Sequence, residues 1–324
     1  MKATLCVGLG LLVGLWGSSF VYADDYYQPI YDDLEAFSRA FDPDLKEVDL
    51  AAAFELDYFK NGSPGLAEYA RRFALTPESL ASRVLNNPLF FASLEDLGER
   101  VETQRPAMDA AFARLLDFHP DATFLPVYFL VTGLSSGGQA SQQGLLISAD
   151  RFALTDEWVD SDLFRNGRLR PLPEITHLVA HELAHIQQVL AQGTDRYLSI
   201  YGPDKSVLAL AIREGTADFV AKLISGDHIN PIAHEYGLAH EEAIWNEFKK
   251  DYTNSETGEW FFVKPTVRKE WPQDIGYFVG FRIVQSYYEN AKDKTEAFQE
   301  ILSVTDYDLF LQKSGYAERF GNSQ

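Results

Sequence analysis

The chain has 324 residues, with 28 lysines and arginines against 48 aspartates and glutamates, for a formal net charge of −20. This excess of acid excludes nucleic acid as a partner, because binding to phosphates needs clustered basic side chains. A hydrophobic content of 46% indicates a globular protein, and the length allows one large domain or two packed ones.

The first 23 residues have the features of a secretory signal peptide. Lys2 gives a positive start, residues 3–16 are apolar, and small residues lead to Ala23, after which we expect cleavage. A membrane anchor is the less favoured alternative, because the apolar run is shorter than the ~20 residues of a span. Removal of this segment predicts a periplasmic or secreted mature chain without a membrane anchor. The only cysteine, Cys6, lies in the segment, so the mature chain is expected to have no disulfide.

Residues 24–119 are predicted to form an N-terminal helical region. Apolar residues recur there at spacings of three and four, which is the period of an amphipathic helix. Thr76 followed by Pro77 is typical of a helix start, with threonine as the N-cap and proline at the first helical position.

Two strands are predicted next, over residues 123–133 and 144–152, where β-branched and aromatic residues are frequent. We expect them to be antiparallel and joined by a long, mobile, glycine- and serine-rich loop. The rest of the chain has helical patterns. The predicted class is therefore α+β and mostly helical, with a small antiparallel sheet in residues 120–324, or one continuous domain over residues 24–324.

The segment HELAH contains the spacing of a metal site. His181 and His185 are four residues apart, so both imidazoles lie on one face of a helix and can reach one tetrahedral zinc ion. Glu182 lies beside the metal rather than on it, where it can accept a proton from a metal-bound water.

A third ligand is expected from the segment REGTADF. Glu214 follows His185 by 29 residues (214 − 185) in a later helix. Asp218 lies one turn further on and is predicted to accept the free N–H of a ligating histidine. Gly215 would let the two helices approach closely. By themselves Glu214 and Asp218 also fit a solvated helix face.

These motifs resemble those of the gluzincin metallopeptidases, in which HExxH is followed by ExxxD on a later helix. The segments HELAHIQQ, REGTADF, IWNEFKKD and GYFVGFRIV are more narrowly similar to exported bacterial proteins described as predicted zinc-dependent proteases. The resemblance implies a zincin-like core and one Zn²⁺ per chain on His181, His185 and Glu214, with Glu182 as general base and Asp218 as orienting acid. It also implies a peptide or protein substrate, bound along residues 126–132 or 144–150 as an edge strand.

Tyr277 is the predicted donor to the oxyanion, with Arg282 as the second choice and a simple core role for Tyr277 as the alternative. His177 is predicted to stand near the metal rather than to bind it, because a fourth protein ligand would close the open position that catalysis needs. The histidines at 228, 234 and 240 are expected at the surface or at helix caps, although one could line the cleft.

The predicted function is an exported zinc metallopeptidase that hydrolyses peptide bonds. The alternative is a non-catalytic zinc-binding protein of the same fold, and a third hypothesis is a helical interaction module with a chance HExxH. Glu182 favours catalysis, because a purely structural zinc site does not need it. Nothing in the sequence determines the oligomeric state.

Overall fold

The structure, a computed structural model, describes residues 27–202, 204–261 and 271–321. The predicted signal peptide and its cleavage site lie outside these residues. In the described part of the chain, no helix combines the length and the apolar character that crossing a membrane requires. About 61% of the described residues are helical and a small mixed sheet of four strands accompanies the helices, which confirms the α+β class in its coarse form.

Sixteen α-helices are present in the described ranges: α1 Asp32–Ala40, α2 Glu47–Ala53, α3 Pro64–Phe73, α4 Pro77–Leu85, α5 Pro88–Ala92, α6 Leu97–Glu102, α7 Arg105–Phe118, α8 Asp162–Arg165, α9 Glu174–Gln192, α10 Thr194–Ser199, α11 Val207–Ser225, α12 Pro231–Ala239, α13 Glu241–Asp251, α14 Ile275–Asn290, α15 Lys294–Leu302 and α16 Tyr307–Ser314. The strands there are β1 Pro29–Ile30, β2 Val127–Leu130, β3 Gly138–Ala140 and β4 Leu145–Ser148.

Helix α4 begins where the sequence predicts a helix start. The Thr76 hydroxyl accepts from Ser79 N, and the Ser79 hydroxyl accepts from Thr76 N, which completes a capping box in front of Pro77. Buried side chains from Tyr27 to Tyr316 form one hydrophobic core cluster, which joins the N-terminal helices to the later ones. The division at residue 119 stays a prediction.

The sheet differs from the predicted antiparallel pair. Its strand order is β1-β2-β4-β3, and β2 runs parallel to both β1 and β4. The loop expected to be mobile contains β3, which pairs antiparallel with β4 through a tight turn between Ser141 and Gly144. Because β2 and β4 are buried at every position, their sequences lack the alternation that would indicate which face is solvated and which partner each strand takes.

Three long helices position the site. Helix α11 packs against both α9 and α14. Its hydrophobic residues surround it on all sides, as expected of a helix at the centre of a core. A Cβ atom at Gly280 of α14 would lie 1.7 Å from the carbonyl oxygen of Ala211, so the α11 and α14 backbones are in direct contact. Ser206 caps the start of α11 by accepting from Ala209 N, and Gly226 ends it at a φ of 97°.

Asp150, in the turn after β4, is a buried carboxyl that ties the sheet to its loop. Its Oδ2 accepts from Leu134 N at 2.7 Å and from Thr132 N at 3.1 Å. Burial raises the pKa of Asp150 to about 6, against the opposing effect of these two hydrogen bonds and of Arg151.

We therefore expect Asp150→Asn to change the pH dependence of stability. Between the unfolded pKa of about 3.9 and the folded pKa of about 6, the folded chain binds more protons at Asp150. The free energy of unfolding of the wild type should thus fall by about 3 kcal/mol, relative to the variant, as pH rises through this window. Urea unfolding at pH 4, 5, 6 and 7 measures this difference. Parallel pH profiles for the two proteins would contradict the expectation.

Candidate metal site

The structure brings His181, His185 and Glu214 together. Helix α9 supplies both histidines and α11 supplies the glutamate. The two histidine Nε2 atoms are 3.1 Å apart, and Glu214 Oε2 lies 3.4 Å from that of His181 and 3.3 Å from that of His185. All three side chains are buried, and their atoms form a compact triangle that could hold a metal ion.

The size of this triangle fits a tetrahedral zinc ion. Bonds of 2.0–2.1 Å in a tetrahedron place neighbouring ligand atoms about 3.3 Å apart. The three observed separations lie within 0.2 Å of that value. Two imidazoles and one carboxylate are also a ligand set typical of zinc. The donor set thus fits the ion that the sequence predicts, and the identity of the ion stays a prediction.

The charges of the site favour an anionic Glu214. Burial would raise the pKa of this carboxyl, but His185 and hydrogen bonds from both histidines hold it well below its usual range. For His185, burial lowers the pKa and the adjacent Glu214 raises it, with a net upward shift. A carboxylate that stays ionised next to two imidazoles is a ready ligand for a divalent cation.

Glu182 lies at the edge of the triangle, against β3. A Cβ atom at Gly138 would be 3.0 Å from both Cγ and Oε1 of Glu182, so only a glycine fits there without displacing that side chain. Burial raises the pKa of Glu182, and Glu214 adds to this effect, while the two histidines and a backbone hydrogen bond from Ala140 oppose it.

The predicted edge strands are wrong. Residues 126–132 and 144–150 contain β2 and β4, which are the two inner strands of the sheet. The strand next to Glu182 at the edge is β3, inside the loop expected to be mobile. The glycine pair Gly137-Gly138 is the sequence feature that could have indicated this strand, because glycine in a strand often marks the close approach of another group.

Asp218 does not orient a ligating histidine, contrary to the prediction. Its carboxylate receives hydrogen bonds from Ile229 N and approaches His228 and His234 instead. The partner of His185 Nδ1 is Gln188 Oε1, at 2.8 Å, and Gln188 Nε2 in turn donates to the carbonyl of Arg213. Within the described residues, Nδ1 of His181 has no hydrogen-bond partner.

Two tyrosine rings lie beside the triangle. The Tyr277 ring lies 6.1 Å from that of His181, and the Tyr197 ring 6.3 Å from that of His185. Burial raises the pKa of Tyr277 well above its usual value, and Glu214 adds to the shift, so its hydroxyl stays protonated. Burial raises the pKa of Tyr201, and the charges of Glu214 and Glu182 add to this shift. The sequence analysis missed Tyr197 and Tyr201, and the role of Tyr277 as a donor stays a prediction.

Two other candidates lie away from the triangle. Arg282, the second choice for the donor, forms an ion pair with Glu241 at 2.6 Å. His177 is one turn before the motif, and its Nδ1 lies 2.8 Å from Ser225 Oγ. Neither side chain is among the groups that converge on the candidate metal position.

We expect Gln188→Ala to weaken zinc binding without removing it. Loss of the Gln188 oxygen frees the His185 ring to rotate, and such outer-shell changes reduce metal affinity by about 10–100-fold. The neighbouring Gln187 is a matched control, because it is buried too but hydrogen bonds with Thr123, away from the site. Chelator competition measures the zinc dissociation constant, and equal constants for Gln187→Ala and Gln188→Ala would contradict this role.

Comparison with known families gives one match. The model of the family described as gliding motility protein GldB matches residues 233–318. The matched segment begins after Glu214, so it includes none of the three residues of the triangle. No curated protein and no solved structure matches the chain, and the zincin-like core stays a prediction.

This result corrects the family assignment. The resemblance to gluzincin metallopeptidases predicts a protease family, but the family model that matches is that of GldB and no protease family matches. The predicted function, peptide-bond hydrolysis by an exported zinc metallopeptidase, is wrong by the same finding. An HExxH motif with a suitable carboxylate is a local geometry, and the same local geometry can occur in unrelated functions.

Proposed function

We propose that this chain is an exported zinc-binding protein whose metal site is formed by His181, His185 and Glu214. The observation that carries the proposal is the buried triangle of ligand atoms, whose sides of 3.1 to 3.4 Å match those of a tetrahedral site. Burying two imidazoles and a carboxylate together without a cation would leave a costly arrangement, which a bound metal offsets.

Export is supported by two independent features. The first 23 residues have the pattern of a signal peptide. The family that matches residues 233–318, gliding motility protein GldB, is a lipoprotein family. The match also supports a part in gliding motility as a second candidate role, in which residues 233–318 would be the shared portion.

The arrangement of ligands suits reactions at a bound ion as well as storage of the ion. With three protein ligands, a bound zinc ion would keep an open position and act there as a Lewis acid. Glu182, next to His181 in the sequence, would be the group that accepts a proton near that position, and its Oε1 lies against Gly138 of β3. That the protein is an enzyme, and that it binds a peptide or protein partner, stay predictions.

The test is a metal count on purified protein. After removal of metal with a chelator and incubation with Zn²⁺, elemental analysis is applied to the wild type and to the double variant His181→Ala, His185→Ala. We expect the variant to bind one zinc ion fewer per chain while its circular dichroism spectrum is unchanged. Equal zinc content in the two folded proteins would overturn the proposal.

A further inference from the structure

A second group of metal-ligating side chains lies one helical turn from the first. It consists of Asp218 on α11, His228 in the turn after α11, and His234 on α12. We call these residues the second cluster. Asp218 Oδ2 is 2.5 Å from His234 Nε2 and 3.3 Å from His228 Nδ1, so one oxygen faces a nitrogen of each histidine.

The carboxylate of the second cluster is held in place from the opposite side. Ile229 N donates to Asp218 Oδ1 at 3.1 Å, which leaves Oδ2 directed at the two imidazoles. The side chain of Asp218 has no exposed surface. Among the described residues, Asp218 pairs with no lysine or arginine, and Lys222 on the same helix pairs with Asp227. A buried carboxylate normally requires a cation or several strong donors.

Aromatic side chains pack against the two imidazole rings. The rings of His228 and His234 stack with centroids 3.5 Å apart. The ring of Phe281 is edge-on to both, at 4.6 Å from His228 and 4.8 Å from His234. Gly237 leaves room for Phe278, which packs against His234. Four segments of the chain, namely α11, the turn after it, α12 and α14, thus contribute to the cluster and its packing. The cluster is not a group of side chains at a solvated surface.

We propose that Asp218, His228 and His234 form a second binding site for a divalent first-row metal cation. Two imidazoles and one carboxylate are a ligand set that suits Zn²⁺, Co²⁺ or Fe²⁺. The His228 side chain is 13% exposed, which gives the ion a route from solvent. This site is distinct from the first one, although α11 supplies a carboxylate to each.

Binding of an ion requires a change in one of the two distances between Asp218 and the histidine nitrogens. The separation of 3.3 Å between Asp218 and His228 already equals the edge of a tetrahedral site of about 3.3 Å. The contact of 2.5 Å between Asp218 and His234 is shorter and must lengthen by about 0.8 Å to admit an ion. Rotation of His234 about its side-chain bonds, with the rings no longer parallel, provides this movement.

The experiment counts bound ions in the full chain and four variants. Glu214→Gln removes a ligand of the first site, His228→Gln removes one of the second, and a double variant removes both. His240→Gln is the matched control, because His240 stacks on Tyr236 and belongs to neither cluster. Equilibrium dialysis against Zn²⁺ gives the stoichiometry, and the absorption of bound Co²⁺ reports each site separately.

We expect two ions in the wild type and in His240→Gln, one in each single variant, and none in the double variant. One ion in the wild type that Glu214→Gln removes and His228→Gln does not would overturn the second site and leave the first intact. One ion that only His228→Gln removes would overturn the proposed function and support the second site. His234→Asn repeats the test in case His228→Gln fails to fold.

Discussion

Replacing Glu214 by glutamine is expected to weaken zinc binding at the first site by more than about 100-fold. A loss of about 100-fold is the largest that is typical when a residue behind a metal ligand is changed, and Glu214 is a proposed ligand itself. Glutamine keeps the size of the side chain but removes the negative charge that lies 3.3–3.4 Å from the two histidine nitrogens. The charge matters more here than at a surface, since the residue is buried and the surrounding dielectric is low. Chelator competition with Zn²⁺ gives the dissociation constant.

The neighbouring acid provides the control for this prediction. Glu182→Gln is the same chemical change at another buried glutamate, but Glu182 is not among the three converging ligand atoms. Its effect on zinc affinity should be smaller than that of Glu214→Gln by at least about tenfold. Both variants are measured on a His228→Gln background, so that the second cluster does not contribute. Similar losses for both glutamates would contradict the assignment of Glu214 as a ligand.

The histidine pair of the triangle was predictable because its members obey local helical geometry. His181 and His185 must share a face at a spacing of four. Glu214 is predicted only in combination with them, because taken alone it also fits a solvated helix face. The second cluster was not predictable in this way. His228 follows the left-handed Gly226, and His234 belongs to another helix, so their meeting with Asp218 depends on how the chain reverses.

The same distinction holds for the fold. Helix starts such as that at Thr76 depend on a few neighbouring residues, and the sequence places them well. Strand direction and order depend on distant partners. The short segment Gly138–Ala140 has no strand propensity of its own, yet pairing with β4 and packing against Glu182 make it an edge strand. The function depends even less on a local motif. The family model that matches covers residues 233–318, and this segment contains none of the three residues of the triangle.

Replacing Gly280 by alanine should destabilise the protein by at least about 3 kcal/mol, the upper end of ordinary overpacking. The added Cβ would lie 1.7 Å from the Ala211 carbonyl oxygen, and neither backbone can yield without separating α11 from α14. A Cβ at Gly215 would meet Gly280 itself, so this contact lies beside Glu214. We therefore expect zinc affinity to fall together with the free energy of unfolding, as measured by urea denaturation and chelator competition.

Gly98 in α6 separates this steric effect from the general effect of a helical glycine. A Cβ there meets nothing within 4 Å, so Gly98→Ala should stabilise the protein by about 0.5–1 kcal/mol through helix propensity and leave zinc binding unchanged. A loss of both stability and zinc affinity in Gly280→Ala, with neither loss in Gly98→Ala, would show that the close approach of α11 and α14 supports the metal site. An unchanged unfolding midpoint for Gly280→Ala would mean that the helices are further apart than described and that Glu214 is positioned by other contacts.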